Sequence, residues 1–385
     1  MKNEKYYKRI IKPPKDNSFF LFGPRGVGKT SWLKRNYPKA LYFDLLESET
    51  FRKLITYPER LEEEIPENFS NWIILDEIQK IPELLNEVHR LIEGKKYKFI
   101  LTGSSARQLR KKGVNLLAGR AYTYFMYPLT IEELGNDFSL EKSLKVGHLP
   151  KAYLVDDAKR FLSSYLETYL KEEVKEEGLT RNLGDFYRFL DVATFSQGEV
   201  LNLTEVAREC LLKRDKVEGY FNILDDLLLA VQIPIFNRRA KRKLITKNKF
   251  YYFDVGVFRH LRQAGLLDTE SEIDGPALET LFLQELRAVN DYYEMNYKIY
   301  YWHTKRGLEV DFVLYGEKGL LALEIKRKRN IMDKDLRGLK AFGKEYPEAK
   351  KMVFCGVKKP ERRGDVEILP VEYGLKNLKK ILENN

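Results

Sequence analysis

Residues 19–31 read Phe-Phe-Leu-Phe-Gly-Pro-Arg-Gly-Val-Gly-Lys-Thr-Ser, and this stretch limits the fold more than any other. The apolar run 19–22 has the form of a short buried strand. Gly23, Pro24, Arg25, Gly26, Val27, Gly28, Lys29 and Thr30 then match the pattern G-x-x-x-x-G-K-S/T without a mismatch. Glycines let backbone N–H groups turn inward on an anion with no Cβ in the way. Lys29 brings a point charge to the β- and γ-phosphates, and the Thr30 hydroxyl can ligate Mg²⁺. The helix expected from Lys29 through Ser31 onward turns its positive end to the same phosphates. A bound nucleoside triphosphate is the expectation, with ATP and Mg²⁺ as cofactors.

A second motif supports the first. Trp72–Leu75 is an apolar strand ending in Asp76 and Glu77, which puts two carboxylates at the C-terminal edge of a parallel sheet, where such sheets bind ligands. Asp76 is expected in the Mg²⁺ shell, and Glu77 is expected to orient or deprotonate the attacking water. After the strand Lys98–Leu101, Ser104 can touch the γ-phosphate or the water; a plain N-cap at a strand-to-helix turn remains open. A helix is expected over 105–112. Arg120 is a candidate γ-phosphate arginine, in cis or from a neighbouring subunit, with a structural role equally open. Helical signals run from Lys29 to about Asn36 and over 48–66 and 82–93, between strands at 40–43, 98–101 and 121–127. The order is that of a doubly wound P-loop core spanning 1–135, an α/β fold.

A chain of 385 residues is too long for one ordinary domain. No apolar run approaches the ~18 residues of a membrane span, and the first residues lack the apolar core of a secretory signal. Two cysteines and four histidines without ligand spacing indicate neither a disulfide framework nor a zinc module. The expected place is the cytoplasm, with no membrane partner. The net charge of +11 favours a polyanionic partner. Abundant Lys and Glu with little Gln and His fit a thermophilic source.

Residues 136–157 read as a loop-rich boundary containing Gly147 and Pro150. From 158 to 194 the spacing is helical. Leu203 to Leu229 fits helix, turn, helix, with Lys213, Arg214 and Asp215 in the turn and Tyr220, Phe221 and Leu224 on an apolar face. Two strands, 229–236 and 244–253, flank the basic stretch Asn237–Lys243. This is a helical and winged-helix-like layout over 136–250, its basic tip facing phosphates; a helical packing module with a solvated wing is the alternative.

The last part, 251–385, carries a third constellation. A helix over 276–289 bears Glu279. The strands 309–314 and 320–326, joined by a turn at 316–319, are expected to pair antiparallel and bring Asp311, Glu324 and Lys326 together. Two carboxylates can hold Mg²⁺ against a scissile phosphate, Lys326 can steady or activate water, and Glu279 can complete the acidic set. This is the logic of restriction-type nucleases. An ordinary charged hairpin, or a nuclease fold without activity, stays open. A helix at 334–345, a strand at 351–357 and a helix near 374–383 complete an α/β unit.

With those residues in hand, the chain resembles a prokaryotic family of AAA-type P-loop ATPases that carry a C-terminal domain of unknown function similar to a restriction-endonuclease core. The matching stretches are 23–30, 73–79, 101–105, 117–120, 128–134, 165–174, 251–256, 309–314 and 322–326. The resemblance implies ATP binding and hydrolysis. The leading expectation is an Mg²⁺-dependent ATPase coupled to a nucleic-acid-facing C-terminal half, DNA ahead of RNA, with nuclease activity an open second expectation. A nucleotide-gated switch that binds a protein partner, its nuclease-like part a scaffold, is the alternative, and a homo-oligomer is compatible with all three.

Overall fold

The computed structural model describes residues 5–104, 117–170, 174, 182–237, 247–262, 265–266 and 268–384. The chain divides into two compact units. One is Lys8–Tyr127 with Asp226–Leu228; the other is Met1–Tyr7, Pro128–Asp225 and Leu229–Asn385.

In the first unit, five strands among the described residues pair in parallel: β1 (Ser18–Phe22), β2 (Leu41–Asp44), β3 (Trp72–Asp76), β4 (Lys98–Gly103) and β5 (Ala121–Phe125). Their order is β2-β3-β4-β1-β5. Connections between parallel neighbours must cross over, and helices supply them. These are α1 (Lys29–Asn36), α2 (Ser48–Thr56) and α3 (Leu84–Lys95). The helix α3 buries Leu84, Leu85, Val88 and Leu91 against Ile73, Leu75, Phe99 and Leu101 of the sheet. β1 lies inside the sheet and is buried along its whole length, so the loop that follows it opens at the C-terminal edge near the ends of β3 and β4. The expected single helical stretch 48–66 is broken: α2 ends at Thr56, and a separate turn covers Arg60–Glu63. Pro58 accounts for this, because the residue before a proline is pushed out of the helical region; Tyr57 sits at φ −139°. The helix expected over 105–112 lies outside the described residues.

In the second unit, the stretch expected to be loop-rich holds two helices, α4 (Leu140–Val146) and α5 (Pro150–Leu154). Ser139 caps α4 by accepting the Lys142 N–H, Gly147 ends it at positive φ, and Pro150 opens α5. Gly and Pro were therefore the stop and start of neighbouring helices rather than marks of a linker. The chain continues through α6 (Ala158–Tyr165), α7 (Leu183–Ala193), α8 (Leu203–Glu209) and α9 (Arg214–Asp226). Arg214 and Asp215, expected in a turn, begin α9, while Tyr220, Phe221 and Leu224 are buried as expected. β6 (Ala230–Ile233) pairs antiparallel with β7 (Lys249–Tyr252). The first expected strand stops short at Pro234, which has no N–H to offer a ladder. Of the basic stretch only Asn237 is described; 238–243 lies outside.

Next come α10 (Val255–Leu261) and α11 (Glu270–Tyr292). The helix α11 begins six residues before Pro276, because Thr269 and Glu272 form a capping box ahead of it. A mixed six-stranded sheet follows, built from β8 (Lys298–His303), β9 (Glu309–Gly316), β10 (Gly319–Ile325), β11 (Lys350–Cys355), β12 (Glu361–Arg363) and β13 (Val366–Pro370), in the order β12-β13-β11-β10-β9-β8. β9 and β10 form the expected hairpin, with Leu323 opposite Phe312. The helix α12 (Arg337–Glu345) packs Leu339 and Phe342 on one face of this sheet, over Val310, Val313, Ala322 and Val353. The single terminal helix expected near 374–383 is two, α13 (Val371–Lys376) and α14 (Leu378–Glu383).

Candidate functional site

The loop after β1 is built for close approach. A Cβ at position 23 would lie 2.4 Å from the Met126 carbonyl oxygen, and Gly26 and Gly28 have φ of 84° and 96°, values that side chains rarely tolerate. Gly28 forms the N-terminal cap of α1 and leaves that helix end without a side-chain cap. The buried Lys29 ammonium folds back over the loop and donates to the carbonyls of Gly23 at 2.7 Å and Pro24 at 3.3 Å. Pro24 and Val27 are buried, whereas Arg25 and Ser31 are exposed.

The Thr30 hydroxyl donates to Asp76 Oδ2 at 2.9 Å. Tyr42 donates to the same oxygen, and Thr102 donates to Asp76 Oδ1. Burial and the Asp76 charge push the Tyr42 phenol well up, so it stays a donor. A hydroxyl and a carboxylate in contact, beside an ammonium and a loop of glycines, are the donors that a hard divalent cation and a triphosphate require. The residues present therefore fit Mg²⁺ and a nucleotide.

Glu77 lies just past β3 with φ of 63°, a left-handed conformation that costs a non-glycine residue about 1 kcal/mol or more. Its N–H donates to Thr102 Oγ1 at 3.2 Å. Gln79, in the following turn, donates through Nε2 both to the Glu77 carboxylate and to Ser104 Oγ, the latter at 3.1 Å. Gln79 thus joins the two residues expected to handle water and γ-phosphate, a link that sequence inspection missed although Gln79 closes the matching stretch 73–79, because its partner Ser104 lies 25 residues on. Arg9 was also missed. It braces the loop from behind, donating to the carbonyls of Val27 at 2.6 Å and Tyr127 at 2.5 Å.

Of the roles open to Arg120, the cis one is corrected. It pairs with Glu93 of α3 and directly precedes β5, whose first residue lies opposite Ser18, while the phosphate loop leaves β1 after Phe22, opposite Phe125. The arginine is therefore at the other edge of the sheet from the loop, and a cis contact with a γ-phosphate is not available to it.

The third constellation does converge. Lys326 Nζ lies 2.6 Å from Glu324 Oε1 and 3.8 Å from Asp311 Oδ2, and the Ile325 N–H donates to Asp311 Oδ2 at 2.8 Å. A residue not anticipated occupies the middle. Lys249, 1% exposed, reaches from β7 to Glu309 Oε1 at 2.6 Å, Glu279 Oε2 at 3.4 Å and Asp311 Oδ1 at 3.6 Å. Tyr251 donates to Glu279 Oε2 at 3.0 Å. Burial alone would lower the Lys249 pKa, yet the charges of Glu279, Tyr251, Asp311 and Glu309 hold it well above the usual value. Burial, then the Asp311 charge, raises Glu279 to about 7 and Glu324 to about 8. Burial would raise Asp311 too, but Lys326, Lys249 and the Ile325 N–H outweigh it and keep its pKa low. Of the expected metal set, Glu279 and Asp311 each turn an oxygen to Lys249 and Glu324 turns one to Lys326, and among the described residues no group of three or more His, Cys, Asp or Glu side chains is placed to hold an ion. Glu279, Glu199, Gln197 and Lys326 border a cleft of about 1060 Å³.

Comparison with known proteins agrees with the first part of this picture. Residues 15–135 match a family model described as "AAA domain". The loop-bearing stretch is thus similar to an AAA domain over those residues. Residues 137–269 and 274–373 match two models, each described as a domain of unknown function (DUF8612 and DUF4143). The chain is 25% identical over 310 residues to an uncharacterized protein, MJ1544, of Methanocaldococcus jannaschii, covering 72% of this chain and 66% of that one. It is 19% identical over 255 residues to an uncharacterized protein of Haemophilus influenzae, covering 61% and 62%. The match thus spans slightly under two thirds of either relative's length. Among solved structures, the Aeropyrum pernix ORC2 protein in its ADP form overlaps 70% of this chain and 89% of that chain, with a TM-score of 0.32 at 13% identity. The Aeropyrum pernix ORC1 protein in complex with DNA overlaps 64% and 87%, with a TM-score of 0.28 at 14% identity. Overlaps of this quality are too loose to assign a fold. No helix among the described residues is long and apolar enough to cross a membrane.

Proposed function

We propose that the AAA-type unit binds and hydrolyses ATP with Mg²⁺, and that this cycle serves a C-terminal unit that faces nucleic acid, DNA ahead of RNA. The observation that carries the proposal is the Thr30–Asp76 contact at 2.9 Å beside the buried Lys29 ammonium. Thr30 and Asp76 would hold Mg²⁺, which supplies charge neutralisation for the phosphates when bound. Lys29 would exchange the carbonyls of Gly23 and Pro24 for phosphate oxygens, and the amides of the loop would share the remaining negative charge. Glu77 would accept a proton from, or orient, the attacking water. Gln79 would tie that carboxylate to Ser104, so that loss of the γ-phosphate at Ser104 is felt at Glu77. An arginine for the γ-phosphate, if Arg120 supplies one, would come from a second copy of the chain.

ATP turnover by the full chain tests this. Lys29→Ala and Asp76→Asn are each expected to lower the rate by 10²-fold or more, as removing a charged group from a phosphoryl-transfer site does. Rates equal to the wild type would remove the proposal. One observation favours a second reading, a nucleotide-gated switch acting on a protein partner: the C-terminal carboxylates are already filled by Lys249, as a scaffold without metal-dependent cleavage would be.

A further inference from the structure

The cluster at Asp311 has the acidic residues of a metal site and a lysine where the ion belongs. We infer that the Lys249 ammonium is the resident cation of this cluster, and that the cluster takes up a divalent metal only when Lys249 is removed. Four features carry the inference. An ammonium has three protons to donate beyond its own bond to carbon, and Lys249 Nζ lies within 4.0 Å of three carboxylates, those of Glu309, Glu279 and Asp311. These come from β9 and α11, while Lys249 comes from β7, so its charge joins three elements. Both oxygens of Asp311 are engaged, Oδ1 by Lys249 and Oδ2 by Lys326 and the Ile325 amide. A divalent ion needs several oxygens at about 2.0–2.6 Å, and those oxygens already face ammonium groups. Lys249 is also 1% exposed; for an ion to enter, this ammonium must first leave three carboxylates.

Glu324 Oε2 is buried without a hydrogen-bond partner among the described residues, but its other oxygen is held by Lys326, and Glu279 and Glu309 each turn one oxygen to Lys249, so every carboxyl group of the cluster already faces an ammonium. Nor could Lys326 be the ion's helper while Lys249 stays, because two ammonium groups already flank Asp311.

The consequence is chemical. With Lys249 in place the cluster is a polar joint among β7, β9 and α11, in which two ammonium groups, Lys249 and Lys326, stand among four carboxyl groups. The inference is independent of ATP binding at the other unit, and its failure leaves that reading untouched.

Mn²⁺ binding to the full-length, nucleotide-free protein tests it, in an Asp76→Asn background that silences the phosphate-loop site. The parent is expected to bind no Mn²⁺ at the cluster. Lys249→Met, which keeps the length and apolar stem, is expected to gain one Mn²⁺ equivalent and a rise in melting temperature with Mn²⁺. Both gains should vanish on adding Glu279→Gln. A Mn²⁺ equivalent in the parent that Glu279→Gln removes would overturn the inference. So would a Lys249→Met protein that takes up no ion, or that stays unfolded with Mn²⁺ present.

Discussion

Arg9 acts on the phosphate loop without reaching its mouth. Its guanidinium bonds to the carbonyls of Val27 and Tyr127 hold the loop's turn against the strand exit. Replacing it with Met keeps the buried volume and removes two charge-assisted hydrogen bonds, each worth about 1.5–3 kcal/mol. Arg9→Met is therefore expected to weaken nucleotide affinity by about tenfold or more, and to lower stability, while the residual rate at saturating ATP stays above that of Lys29→Ala; nucleotide titration and turnover on the same preparations would check this. A second residue reports pH. Glu285 of α11 is fully buried and accepts the Ile131 N–H at 3.0 Å. Burial, with the charges of Glu133 and Glu132 adding to it, raises its pKa to about 8. A carboxyl raised in the folded state contributes stability that is complete below its unfolded value of about 4.3 and is lost as pH rises through about 8. Glu285→Gln keeps an acceptor for Ile131 and cannot ionise. Its melting temperature is expected to fall less than the wild type's between pH 5 and pH 9; parallel profiles would show that Glu285 is not the group that titrates.

Close approach between elements fixes the joint of α4 and α10. A Cβ on Gly256 would sit 2.2 Å from the Val146 carbonyl oxygen, and one on Gly147 would sit 2.1 Å from Asp254 Oδ1. Asp254 caps α10 through the N–H groups of Gly256 and Val257 and also accepts the His148 N–H at 2.8 Å. Gly256→Ala must push backbone against backbone, so a loss of about 3 kcal/mol is expected, read by denaturant unfolding; a loss under about 1 kcal/mol would mean the helices can part freely. The same joint shows what a sequence does and does not reveal at this scale. The strands β1, β3 and β4 were legible because apolar runs of three or four residues ending in turn or acidic residues have one simple reading. The phosphate loop was legible because its spacing is local. Gly147 looked like a linker because its partner, Asp254, is far away in the chain. Lys249 was invisible for the same reason: it lies in an aromatic strand, and its carboxylate partners stand 30 and 60 residues further on. β12 and β13 were missed because Arg362, Arg363 and Pro370 interrupt any apolar run, although Val366 and Ile368 alternate into the core.

At the scale of the molecule, the charge of +11 favours a polyanionic partner. A concentration of it is the stretch 238–243, with five basic residues among six. The described residues on either side are tied to one tyrosine: the Phe236 N–H donates to the Tyr301 carbonyl at 2.6 Å, and the Tyr301 hydroxyl donates to the Lys247 carbonyl at 2.6 Å. Phe236 is also packed against Tyr300 and Tyr346. Exchanging the five basic residues for Gln should therefore leave those anchors and the fold intact, which makes the substitution a clean probe of charge. If the stretch meets duplex phosphates, each contact releases counterions and adds about 0.9 to the slope of log affinity against log salt, or about 0.7 on a single strand. The wild type is then expected to bind DNA with a steep negative slope, and the five-Gln variant with a slope shallower by up to about 4 units. ATP turnover without DNA should be unchanged in that variant, because none of these residues belongs to the phosphate loop. A wild-type slope near zero from low to moderate salt would mean that the charge does not serve nucleic acid, and it would move the balance to a protein partner whose recognition depends on shape rather than on counterion release.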